Sequence, residues 1–124
     1  MRAVLRRLHS PDVYDLAAFR PSEKDNFAFL LQILVGPDTG PGEESFDVFV
    51  CTPRWLLDNH SDEEIVIGTH KLIMFSYDYE RLYRFIQEKL SEARGSNWQE
   101  LASRLARLGR WEFEDYVPGG SPDS

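Results

Sequence analysis

The run Phe27-Ala28-Phe29-Leu30-Leu31-Gln32-Ile33-Leu34-Val35 holds one polar side chain in nine residues. Side chains of a strand alternate between two faces, so a strand of this composition is apolar on both. Such a strand belongs near the centre of a sheet. Either both faces are covered, or the second face meets a partner. Gly36-Pro37-Asp38-Thr39-Gly40-Pro41-Gly42 follows it. Glycine supplies positive φ and proline fixes φ, so this stretch reads as a loop. Ser45 to Cys51 then alternates, with Phe46, Val48 and Val50 on one side and Asp47, Phe49 and Cys51 on the other. The two segments predict a hairpin with a long tip.

The flanking segments are weaker. Met1 to Leu8 alternates and predicts another strand, with Arg2, Arg6 and Arg7 keeping part of it wet. Asp12 to Asn26 mixes charge with Val13, Tyr14, Leu16 and Phe19 and reads as an ordered loop. Thr52-Pro53 is a helix start, a capping hydroxyl followed by a proline tolerated in the first turn. A short helical piece from Arg54 to Asp58 should follow it, then an acidic loop from Asn59 to Glu64. Ile65-Val66-Ile67 and His70 to Phe75 predict one interrupted strand or two short ones.

Asp78 can cap a helix reaching about Ala93, in which Leu82, Phe85, Ile86 and Leu90 recur at the 3.6-residue period. Ser96-Asn97-Trp98-Gln99 fits a capping box and opens a second helix, with Trp98, Leu101, Ala102, Leu105 and Leu108 on one stripe. Gly109 ends that helix, and Trp111 to Val117 reads as extended. Strands first and helices afterwards predict an α+β fold: an antiparallel sheet of about four to five strands with two C-terminal helices packed on one face. The 124 residues suit one domain over 1–117, with 118–124 a flexible tail by composition.

A catalytic or metal site needs reactive side chains at defined spacing, and none is legible. His9 and His60 sit beside breaker or acidic residues, His70 lies in a strand pattern, and no nucleophile-elbow motif is present. The lone Cys51 allows no intrachain disulfide, and no Cys or His pair has ligand spacing. Asn59 to Glu64 lacks the alternate acids and central glycine of a calcium loop. Glu112 and Glu114 are two apart, as surface acids on a strand commonly are. The glycines at 36, 40 and 42 do not form a phosphate loop. The expectation is therefore no catalytic residue, no cofactor and no metal. No secretory leader pattern opens the chain and no apolar run is long enough for a membrane span, so it reads as soluble and cytoplasmic.

What remains is charge. The formal net charge is −7, a poor match to nucleic acid or an anionic membrane and a good match to a basic protein. The acids gather in three places: Glu43 and Glu44 with Asp47, Asp58 with Asp62, Glu63 and Glu64, and Glu112, Glu114 and Asp115 near the end. The last group is interleaved with Trp111, Phe113 and Tyr116. Rings that anchor a segment while carboxylates face outward suit a protein interface. The bland alternative is three separate solvated loops, with Trp111 and Phe113 as ordinary core.

Four blocks of the sequence resemble the immunity protein 8 family. They are Asp25-Asn26-Phe27-Ala28-Phe29-Leu30-Leu31-Gln32, Gly42 through Ser45-Phe46-Asp47-Val48 and Cys51-Thr52-Pro53 to Leu56, Tyr77-Asp78-Tyr79-Glu80, and Trp111-Glu112-Phe113-Glu114-Asp115-Tyr116. The resemblance spans nearly the whole chain. It implies a bacterial, cytoplasmic, non-enzymatic antidote of a polymorphic toxin system, encoded beside its cognate toxin, which it binds and blocks; the charge reading adds no nucleic acid and no membrane partner. An acidic inhibitor suits a basic, nuclease-type toxin. The matching acidic and aromatic positions are the expected contacts: Glu112, Glu114, Asp115 and Tyr116, then Glu43 and Glu44, then Asp62, Glu63 and Glu64. The alternatives are a structural or adaptor module that self-associates through Phe27 to Val35, and last a small hydrolase using His70. The sequence leaves the oligomeric state open.

Overall fold

The computed structural model describes residues 1–113. Glu114, Asp115, Tyr116, Val117 and the segment 118–124 lie outside the described residues. The elements run β1 (Ala3–His9), β2 (Ala28–Pro37), β3 (Glu44–Cys51), α1 (Pro53–His60), a 3-10 turn (Ser61–Glu63), β4 (Lys71–Ile73), α2 (Tyr79–Glu92), α3 (Trp98–Leu105) and β5 (Arg110–Trp111).

The apolar run becomes β2, at the middle of a β1-β2-β3 antiparallel meander. Its pairing with β3 is unbroken from Ala28 opposite Cys51 to Val35 opposite Glu44. The far edge of β3 is shared by two short strands. β4 pairs parallel beside Phe49 to Cys51, and β5 pairs antiparallel beside Phe46 and Asp47. The five-stranded sheet is thus antiparallel apart from the three residues of β4.

One face of this sheet carries the core. Phe29, Leu31, Ile33 and Val35 of β2 and Phe46, Val48 and Val50 of β3 are buried with Leu82, Ile86 and Leu90 of α2 and Leu101, Ala102 and Leu105 of α3. Full burial of each large aliphatic contributes about 1.5–3 kcal/mol, so this layer carries most of the fold's stability. The two C-terminal helices lie on that face, as the α+β reading expects.

Local signals place the helix starts. Thr52 caps α1 by accepting from the Trp55 N–H at 3.2 Å, and Asp78 caps α2 through the Arg81 N–H at 3.1 Å. The cap of α3 is Asn97 and not Ser96: its Oδ1 accepts from the Glu100 N–H at 2.9 Å. Asn and Ser cap about equally well, and the shift of one residue leaves the apolar stripe unchanged. α3 ends at Leu105, one turn earlier than the stripe suggests. Gly109 then passes so close to β3 that a Cβ would stand 3.0 Å from the Phe46 carbonyl carbon.

Three local expectations are corrected. Ile65-Val66-Ile67 forms no strand and is exposed, Ile65 at 84% and Ile67 at 77%. The reason is topological: β4 runs parallel to β3, so a strand extended back from Lys71 would lie beside Phe46 and Asp47, where β5 is already paired. His60 closes α1 and Ser61 to Glu63 form a 3-10 turn, where a loop is expected. The extended segment at Trp111 lasts two residues, and Glu112 and Phe113 turn away.

Candidate partner-binding surface

Among the described residues, no comparable helical layer covers the other face of the sheet. Alternation puts Ala28, Leu30, Gln32 and Leu34 of β2 on it, with Ser45, Asp47 and Phe49 of β3. Each of these is half-buried, while the β2 and β3 residues between them are buried. Register sets Leu30 opposite Phe49, Gln32 opposite Asp47 and Leu34 opposite Ser45. β1 adds Arg7 opposite Leu34 and His9 opposite Gln32, and β5 adds Arg110 opposite Asp47. α1 reaches this side through Trp55, whose ring centroid lies 5.3 Å from that of Phe49. The result is an apolar cluster of Leu30, Phe49 and Trp55 and a separate Leu34, with the polar row His9, Gln32, Asp47 and Arg110 between them. A half-buried sheet face that mixes apolar, polar and charged side chains has the composition of a protein interface.

The predicted acidic residues fall into different roles. Glu43 takes a forked contact from the Arg7 guanidinium, 3.0 Å from Nη2 and 3.2 Å from Nε. The hydrogen bond and charge of Glu43 hold the Arg7 proton more tightly than usual. The pair is exposed and contributes little to stability. Glu44 accepts the Trp111 indole N–H at 2.8 Å. Glu112 accepts the Ser45 N–H at 2.7 Å, and its own N–H donates to the Ser45 carbonyl at 3.1 Å. Trp111 stacks on Phe46 with centroids 6.3 Å apart and planes 8° from parallel. Phe113 meets the edge of Trp111 at 6.0 Å and stays 40% exposed.

Pairing of β3 with β5 therefore brings Glu44, Asp47 and Glu112 to one edge of the sheet, while Glu43 turns to Arg7 of β1. Within that group Glu44 and Glu112 pin β5. Asp62, Glu63 and Glu64 are exposed on the turn after α1, which departs from the opposite end of β3. Glu63 meets His60 Nδ1 at 2.6 Å, and Asp58 accepts from Asn26 Nδ2 at 3.0 Å. Glu114, Asp115 and Tyr116 belong to the undescribed segment. The acidic clusters do not point to Leu30, Leu34, Phe49 or Trp55. The signal for these four is the double-faced apolarity of β2, together with the alternation of β3.

A second apolar feature lies where β4 meets α2. A cavity of about 240 Å³ is lined by Ile73, Phe75, Leu82 and Phe85 among others, with Phe75 widely exposed.

The reactive side chains stand apart from one another. His9 Nδ1 lies 2.7 Å from Gln32 Oε1, and His70 Nε2 lies 2.7 Å from the Ala106 carbonyl oxygen. Cys51 is fully buried, and burial pushes its thiol up, partly offset by Lys71. A thiol so placed is a weak nucleophile. Among the described residues no cluster of His, Cys, Asp and Glu has an arrangement that could hold a metal ion. No described helix is long and apolar enough to cross a membrane. A family model described as Immunity protein 8 matches residues 3–116. Comparison with curated proteins and with solved structures found no match.

Proposed function

The chain belongs to the immunity protein 8 family, and from that premise we propose that it neutralises a cognate bacterial toxin by binding it as a non-catalytic, stoichiometric inhibitor in the cytoplasm. The toxin would seat on the uncovered sheet face. Leu30, Leu34, Phe49 and Trp55 would supply the apolar contact. Glu43, Asp47 and Glu112 at one end, and Asp62, Glu63 and Glu64 at the other, would face basic groups of the toxin. The observation that supports this reading is the set of half-buried apolar side chains, Leu30, Leu34, Phe49 and Trp55, on a sheet face that α2 and α3 leave open. Complementary charge at the border of such a patch speeds encounter and fixes register more than it adds affinity. A basic toxin of the nuclease type fits an inhibitor of net charge −7. Glu114, Asp115 and Tyr116, which lie outside the described residues, are assigned to the contact from the sequence alone.

The test is rescue of growth. The product of the adjacent open reading frame is induced in a host with and without this protein, and with a Leu34→Arg variant checked for folding by circular dichroism. Rescue by the wild type and its loss in the folded variant are expected. Killing that the wild type does not relieve would overturn the antidote reading. Rescue that survives Leu34→Arg would move the contact surface off this face.

A further inference from the structure

On the helical side, away from the open sheet face, the α2–α3 corner forms an open cavity of about 630 Å³. Its lining includes Lys89, Arg94, Arg104 and Arg107 against a single acid, Glu92. Four cations converge there in a chain that carries only 14 Lys and Arg against 21 Asp and Glu. Like charges brought together repel unless an anion joins them. The carboxylates close by are already engaged: Glu92 with Lys89 at 3.7 Å, and Glu100 with Arg104 at 3.0 Å. Arg94 and Arg107 are exposed and make no ion pair among the described residues.

The walls are held in place. Arg104 Nη1 donates to the Arg94 carbonyl oxygen while Nη2 grips Glu100, so this guanidinium ties the α2–α3 connection to α3. The Gly95 N–H donates to the Met1 carbonyl at 3.2 Å, fastening the same connection to the N-terminus. Leu105 is buried in the floor. The volume lies within the usual range for small-ligand sites. Three of the four cations are arginines, whose planar forks match the oxygens of phosphates and carboxylates.

We propose that this pocket binds a small, multiply charged oxyanion, with Arg94 and Arg107 as the principal contacts and Arg104 holding the frame. The proposal is independent of toxin binding, which is placed on the opposite face. Two probes separate the sources of the charge: inorganic pyrophosphate for phosphate, citrate for carboxylate. Each is titrated into the full chain by calorimetry at constant ionic strength. Saturable binding of at least one probe is expected. It should weaken about tenfold when Arg94→Glu is combined with Arg107→Glu, since each removes a charge-assisted contact. Reversal of the exposed Arg20, on the loop before β2, should leave it unchanged. Should the double reversal fail to fold, Arg94→Gln with Arg107→Gln gives the same reading. Absence of saturable binding for both probes would overturn the proposal. So would binding indifferent to the double change, or weakened equally by Arg20→Glu.

Discussion

Thr52 joins three elements through one side chain that is fully buried. Its hydroxyl oxygen accepts from the Trp55 N–H in α1 at 3.2 Å and from the Phe27 N–H before β2 at 3.3 Å, and its own N–H donates to the Phe27 carbonyl. Thr52→Val keeps the shape and removes the acceptor, so urea denaturation should show a loss of about 1–3 kcal/mol. Gly36 is constrained from the other direction. A Cβ there would stand 2.1 Å from the Gly42 carbonyl oxygen and 2.6 Å from Arg6 Nε. Arg6 meanwhile binds the carbonyls of Pro37 and Gly40 at 2.9 and 2.8 Å, closing the hairpin tip. Gly36→Ala must therefore push backbone apart, and thermal unfolding should show a destabilisation of about 1–3 kcal/mol. Tyr77 donates its hydroxyl proton to the Leu16 carbonyl at 2.5 Å, and burial, helped by Tyr79, Asp15 and Asp78, pushes its pKa from 10.0 up to about 12. The folded state thus keeps a proton that the unfolded state releases. Stability from this group is complete below pH 10 and falls as pH rises from 10 to about 12. Tyr77→Phe should flatten that alkaline decline in a pH series of unfolding curves.

At the level of elements, β5 is two residues long and is held largely by side chains. Trp111→Ala deletes the stack on Phe46 and strands the Glu44 carboxylate. It should cost about 3–5 kcal/mol on denaturation, the range of buried aromatic truncations. This element also marks where the sequence was readable and where it was not. The double-faced run at Phe27 to Val35 announced a central strand, because burial leaves its mark on every residue of such a strand. Thr52 and Asp78 announced helix starts, because capping is local chemistry. Ile65 to Ile67 look equally strand-like, yet a strand needs a partner, and the edge of β3 ahead of Phe49 is taken by β5. The acids at 43–44 and 112 read as separate clusters because their union depends on β3 pairing with β5 across a separation of 67 residues. No local pattern carries that information. Nor does charge alone show that Glu44 and Glu112 hold a strand in place. Reversing either one would therefore test β5 as much as it tests a partner.

Over the whole molecule, the two sides differ in kind. The α2–α3 side seals the core and gathers cations at its corner, while the opposite sheet face displays Leu30, Leu34, Phe49 and Trp55 among polar and charged groups. Family membership supplies the partner class, and the open face is where we propose that it docks. With the acids at the border, association should slow as salt rises while the apolar contact sustains the complex. The most direct measurement is titration of the purified product of the adjacent open reading frame into this protein by calorimetry, repeated with Leu34→Arg and at two ionic strengths. The account predicts a one-to-one complex that the folded Leu34→Arg protein fails to form. No complex with the wild type, or an equally tight complex with the variant, would contradict it.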